Sequence, residues 1–315
     1  MSIVRTVLGD IAPETLGFTL AHEHLIGKPP PQFAEDDLLL KSEGDAVSEL
    51  KNFAEVGGNA VVEMTTADYA RDVPTLANIS ELSGIHIIAA TGFNKAKFAE
   101  RYSARLGEDE LVSWMVTELI AGIAEPPFFI QGNPRRTSVR AGIIKGSSSL
   151  GGPTVDEEKV LRAVARAHMA TGAPVSTHTE KASWALEQAQ FLIERGVKPD
   201  KLLIGHLDFK PDLEFLSELA STGVYLGLDQ FSKHKYLPDA KRVELVVGLF
   251  ERGFEQILLS GDLARKSYWS VHGGAGFAHL PQKIRPMLRT LGLDDVQVKR
   301  LFVDNPREWL RFEPA

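Results

Sequence analysis

Two histidines flank one glutamate in Ala21-His22-Glu23-His24, at the end of a short apolar segment, residues 16–20. Residues i and i+2 of a strand point to the same side, so His22 and His24 can present two imidazoles to one cation. Later apolar segments run into Lys145, His178, His206 and Asp262, each where a strand should give way to a loop. Imidazole and carboxylate suit zinc first, with Mn, Co or Ni as alternatives. A pair of such ions brings a shared water to ionise near neutral pH, and the second ion polarises the group under attack. The Lys145 ammonium cannot ligate a cation. Buried beside two divalent ions it should lose its proton, and the free amine can take up carbon dioxide to become a carbamate bridging both.

Taken singly, each residue has an ordinary explanation. A lone strand-end histidine is usually hydrogen-bonded, Lys145 could snorkel or pair with a carboxylate, and Asp262 could cap a helix. The repetition at the ends of strands one, four, five, six and eight is what points to one site. His86, His168, His272 and His279 fall outside that pattern and are expected to be structural.

The strands that must carry these side chains are predicted at residues 17–21, 59–65, 86–91, 141–145, 174–179, 202–206, 224–228 and 256–260. They are apolar and β-branched without strict alternation, as strands buried on both faces of a parallel sheet should be. Amphipathic segments lie between them, at 45–56, 73–82, 108–123, 156–171, 183–195, 211–221 and 238–252, with 280–291, 296–303 and 305–311 after the last strand. Thr154 and Asp156 can cap the fourth helix and Ser183 can open the fifth. Eight such units in one α/β domain spanning residues 1–315 predict a (β/α)8 TIM barrel. An open doubly wound sheet would scatter the polar strand ends; a barrel brings them to one mouth, where 27–43, 126–140 and 263–279 read as loops.

Bulk properties narrow the class. The chain has 315 residues, 35 basic and 42 acidic, with no long block of either sign, so no electrostatic footprint for nucleic acid is expected. Cysteine is absent, which removes disulfides, thiolate metal sites and cysteine nucleophiles. The N-terminus lacks a long apolar signal segment, and no stretch suits a membrane span. The expectation is a cytoplasmic protein with no nucleic-acid or membrane partner; loop aromatics leave a homodimer open.

With Phe18-Thr19-Leu20-Ala21-His22-Glu23-His24-Leu25, Ile144-Lys145, Ser176-Thr177-His178-Thr179, Ile204-Gly205-His206-Leu207 and Ser260-Gly261-Asp262 in this order, the chain resembles the phosphotriesterase family of the amidohydrolase superfamily. The resemblance covers nearly the whole chain. It implies that His22, His24 and Asp262 bind the more buried of two metals and His178 and His206 the more exposed. Carbamylated Lys145 would bridge them, and Asp262 would act as general base toward the bridging hydroxide.

The substrate must be read from the loops. Arg265 and Tyr268, three residues apart in an early helical turn, can face one way. Lys233 or Lys235 from the preceding loop would complete a cationic pocket beyond the metals; spacing does not choose between them, and Lys233 is taken first. Arginine offers a fork to phosphate oxygens and lysine a point charge. This element resembles the phosphofuranose lactonase branch, which implies a small-molecule substrate: a five-membered sugar lactone carrying a phosphate, opened by attack of hydroxide on its carbonyl. The alternative is a lactonase for acyl or other hydrophobic lactones with weak promiscuous phosphotriesterase activity, its groove lined by Phe231, Tyr268, Trp269 and Phe277. Phosphotriesterases proper carry a second aspartate three residues after the strand-six histidine. Here Phe209 stands there and Asp208 comes one residue early, which counts against phosphotriester hydrolysis as the main activity.

Overall fold

A computed structural model describes residues 1–126 and 134–314. An antiparallel hairpin, β1 (Val4–Thr6) and β2 (Gly9–Ile11), precedes eight parallel strands. These are β3 (Phe18–Glu23), β4 (Gly58–Glu63), β5 (His86–Gly92), β6 (Ile143–Ser148), β7 (Val175–Thr179), β8 (Leu202–Ile204), β9 (Tyr225–Leu228) and β10 (Ile257–Leu259). Each pairs with its neighbour in chain order.

Helices run between them: α1 (Glu43–Glu55), α2 (Val73–Ser83), α3 (Ala96–Ser103) and α4 (Glu108–Ile120), then α5 (Val155–Thr171), α6 (Ala185–Ile193), α7 (Leu213–Ala220) and α8 (Asp239–Glu251). Three short helices follow β10: α9 (Arg285–Thr290), α10 (Asp295–Lys299) and α11 (Asn305–Leu310), two of them entered through π-type turns. Local chemistry sets several starts. Ser42, Asp72 and Asp212 accept backbone N–H groups at the first turns of α1, α2 and α7, and Thr154 with Glu157 forms a reciprocal cap on α5.

Alternation along the strands gives two apolar layers. Ala60, Val62, Ile88, Ala90, Ile143, Leu203 and Leu258 fill the barrel interior, while Val61, Ile87, Ile144, Val175 and Leu226 pack outward against helices. Val4, Leu16, Trp309 and Leu310 join the interior cluster, and Trp309 Nε1 donates to Val175 O at the start of β7, which places this plug at the N-terminal end. Polar side chains are thereby left to the opposite mouth. β3 and β10 share no ladder, and side chains help close the ring. His22 N donates to Ser260 Oγ and Asp262 N to His22 O, while the Glu23 carboxylate accepts from Ser260 Oγ, Gly261 N and Leu263 N.

All eight expected strands are present, with boundaries moved by a few residues. Lys145 is not at its strand's end: β6 continues through Gly146, Ser147 and Ser148, which pair with Thr177, His178 and Thr179. Ser183 does not cap α6, whose N-cap is Trp184; the Ser183 hydroxyl donates instead to Glu180 O. The hairpin and α3 are too short to show a period. The 126–140 loop lies partly outside the described residues.

Candidate metal centre

β3 delivers His22 and His24 to the mouth. Leu20 packs outward and Ala21 inward, so strict alternation would turn His22 away from the interior. The pairing of β3 with β4 shifts register between Leu20 and Glu23, which re-aims it. Ring centroids are 5.6 Å apart for His22 and His24, 4.9 Å for His22 and His206, and 4.4 Å for His178 and His206. Asp262 Oδ1 lies 3.4 Å from His24 Nε2 and 3.8 Å from His22 Nε2. Lys145 is buried, and its Nζ donates to Met64 O at 2.9 Å. Gly92, at the end of β5 with φ +94°, leaves room for this segment: a Cβ there would lie 2.0 Å from Lys145 O. The five strand-end groups and Lys145 therefore meet at one rim.

Three further residues belong to the cluster and were not singled out from sequence. Asp229 follows β9; its Oδ1 accepts from His206 Nδ1 at 2.7 Å and its Oδ2 lies 3.2 Å from His22 Nδ1. It stands at a strand end like the other candidates, and that signal could have found it. Glu23 sits inside the His-x-His motif but serves the seam with β10. Gln230 Nε2 donates to Asp262 Oδ2 at 2.9 Å; nothing in the sequence pointed to it.

The electrostatics favour metal-ready protonation states. Burial lowers His24 to about 4 and holds His178 well below its usual range. Burial also lowers Lys145, against the pull of Asp262, Asp68, Glu63 and Asp229. Burial opposes ionisation of Asp262, yet Lys233 and the neighbouring histidines outweigh it and hold the carboxyl well below the usual range. His178 Nε2 is buried with no hydrogen-bond partner. The His22, His24 and His178 imidazoles, lowered by burial and with His22 Nδ1 and His178 Nε2 unsatisfied, form with the ionised carboxylate a donor set that fits a divalent cation, while Asp229 raises His206.

A cavity of about 290 Å³ opens over this cluster, lined by His178, His206, Asp262, Arg265 and Tyr268 among others. Arg265 Nη1 donates to Glu35 Oε2 and Asp37 Oδ2 of the loop after β3. Lys235 Nζ donates to Tyr268 Oη at 3.0 Å. Lys233 is placed otherwise than expected: it lines the cavity, but its ammonium is turned onto Asp262 at 2.8 Å. Lys95 and Lys181 also line the cavity, the former paired with Glu180. Phe231, Trp269 and Phe277 do not line it; all three are core residues. Asp208 faces away, accepting from Arg242 Nε and Gln230 N, while the Phe209 ring stands 6.5 Å from that of His206. His168, His272 and His279 hold structural partners: Ala173 O, Asp45 and Asp239.

Residues 2–310 match the model of the Phosphotriesterase family, and the chain belongs to that family. It is 34% identical to a phospho-furanose lactonase of Mycoplasmopsis synoviae, over 98% of this chain and 92% of the relative. Among solved structures, a lactonase from Listeria monocytogenes superposes with TM-score 0.88 at 35% identity, covering 98% of both chains. The phosphotriesterase homology protein of Escherichia coli, crystallised with phosphate in its active site, superposes with TM-score 0.87 at 32% identity, over 94% of this chain and 99% of that one.

Proposed function

We propose that this protein is a metal-dependent lactonase that opens a furanose lactone bearing a phosphate group. The observation that carries the reading is the pairing of the histidine–aspartate cluster with Arg265 and Tyr268 at one small cavity, with Lys235 reaching it through its bond to the Tyr268 hydroxyl. Relatives named as phospho-furanose lactonases support it. His22, His24 and Asp262 would hold one ion, His178 and His206 the other, with Lys145 between them as a carbamate and zinc the first expectation. When bound, such a pair supplies an ionised water and Lewis-acid polarisation of the carbonyl.

The chain's own residues do the rest. Water adds to the lactone carbonyl carbon, the acyl–oxygen bond of the ring breaks, and the ring oxygen leaves as an alcohol, giving a hydroxy acid. Asp262 accepts the proton from water and is placed to return it to the leaving oxygen. Asp229 orients His206 and faces His22. Arg265 has one nitrogen fixed by Glu35 and Asp37, leaving its other donors for a phosphate that positions the carbonyl. Burial of Phe231, Trp269 and Phe277 removes most of the apolar groove that a long acyl lactone would need.

The test is turnover of phosphorylated and plain sugar lactones by zinc-reconstituted protein. The phosphorylated lactone should be preferred in kcat/KM by about 100-fold, since a charge-assisted grip contributes a few kcal/mol. Equal values end the phosphate reading. Asp262→Asn should reduce turnover at least about 1,000-fold while the fold persists. Arg265→Ala should raise KM about tenfold or more for the phosphorylated lactone alone; the same rise on the plain lactone would reduce the arginine to loop support.

A further inference from the structure

We infer that Lys233 is a positioning residue that clamps Asp262, and not a contact to the substrate's phosphate. The inference rests on the role just proposed for Asp262. An ammonium carries three N–H donors. Those of Lys233 have three acceptors within the protein: Gln230 Oε1 at 2.8 Å, Asp262 O at 2.6 Å and Asp262 Oδ2 at 2.8 Å. The residue is only 5% exposed, so no donor is left over for a ligand in the cavity.

What it holds needs holding. Asp262 has φ 45°, a left-handed conformation that is strained for a residue with a side chain. Lys233 ties both the carbonyl and the carboxylate of this one residue, and Gln230 donates to the same Oδ2. The two carboxylate oxygens are thereby given different tasks. Oδ2 is occupied by the lysine and the glutamine; Oδ1 is the one presented to His22 and His24, where a cation would sit.

The loop that carries the clamp is fixed from behind. Gln230 N donates to Asp208 Oδ2 and Ser232 N to Asp239 Oδ1, and the buried Arg242 binds both of those carboxylates. Swinging Lys233 out toward a substrate would break its own three bonds while this support stayed in place.

Two measurements on Lys233→Met decide the matter. Misplacing Asp262 should lower kcat about 100-fold on phosphorylated and plain lactones alike, with each KM within about threefold of wild type. In chelator the variant's Tm should fall by about 5 °C or more, because the partly buried Asp262 carboxylate loses its cation, and added zinc should restore most of that loss. A kcat that is kept while KM rises only for the phosphorylated lactone overturns the inference. So does a Tm loss that zinc leaves unchanged. Gln230→Leu, a milder change, should lower kcat about tenfold without regard to the phosphate; a phosphate-selective rise in KM there counts against the clamp. If wild-type protein opens no lactone, the functional reading fails, and the Tm comparison with and without zinc still decides the clamp.

Discussion

Asp229 shows how one side chain can organise a site it does not complete. Its two oxygens face His206 and His22, one from each proposed ion site; it orients the His206 ring by a hydrogen bond and sets a charge beside that of His22. Burial opposes its ionisation, but the two histidines outweigh that and keep it a carboxylate, and the same interaction raises His206. Asp229→Asn should therefore weaken metal binding about 10- to 100-fold, read by titrating metal-stripped protein with zinc. Unchanged affinity would show that packing alone orients the rings.

At the scale of elements, strain gathers where the chemistry is. Among the described residues, the non-glycine positions with left-handed φ are Ala70, Lys181, Ala182, Trp184, His206, Ser232 and Asp262, and every one follows the C-terminal end of a barrel strand. At the opposite end of the barrel the connections into the strands are held by ordinary bonds, as α5 illustrates. His168 Nδ1 donates to Ala173 O and Nε2 accepts from Lys198 N, an arrangement that requires the neutral ring. Burial lowers its pKa below the ordinary 6.5. The unfolded chain thus binds the proton more readily, and the stability this ring contributes is present above pH 6.5 and lost as pH falls below it. His168→Gln should cost about 1–2 kcal/mol at pH 8. In urea melts the gap to wild type should narrow as the pH is lowered; a constant gap would mean the ring's charge state is irrelevant.

For the whole molecule, closure of the ring is the central problem, because β3 and β10 meet without a ladder. Glu23 joins them through three accepted hydrogen bonds, and burial raises its carboxyl to about 7. Glu23→Ala should destabilise the fold by about 2–4 kcal/mol by leaving those donors unpaired. Hydrogen exchange should rise first in β3 and β10. A uniform rise across all strands would show that the seam is held elsewhere. No described helix is long and apolar enough to cross a membrane.

Sequence alone determined the eight strands and the residues that gather at their ends, because strand burial and strand-end polarity are written in runs of five or six neighbouring residues. His22, His24, His178, His206 and Asp262 were legible as candidates for that reason, and so was the absence of an aspartate at Phe209, whereas Lys145 lies inside β6 and not at its end. Tertiary structure decided what those patterns leave open. Lys233 and Lys235 are equally basic in the chain, and only the folded loop turned the first onto Asp262 and left the second beside Tyr268. Phe231, Trp269 and Phe277 looked like a groove and became core. Side-chain direction in an irregular loop depends on contacts among residues tens to hundreds of positions apart, and no local period encodes them.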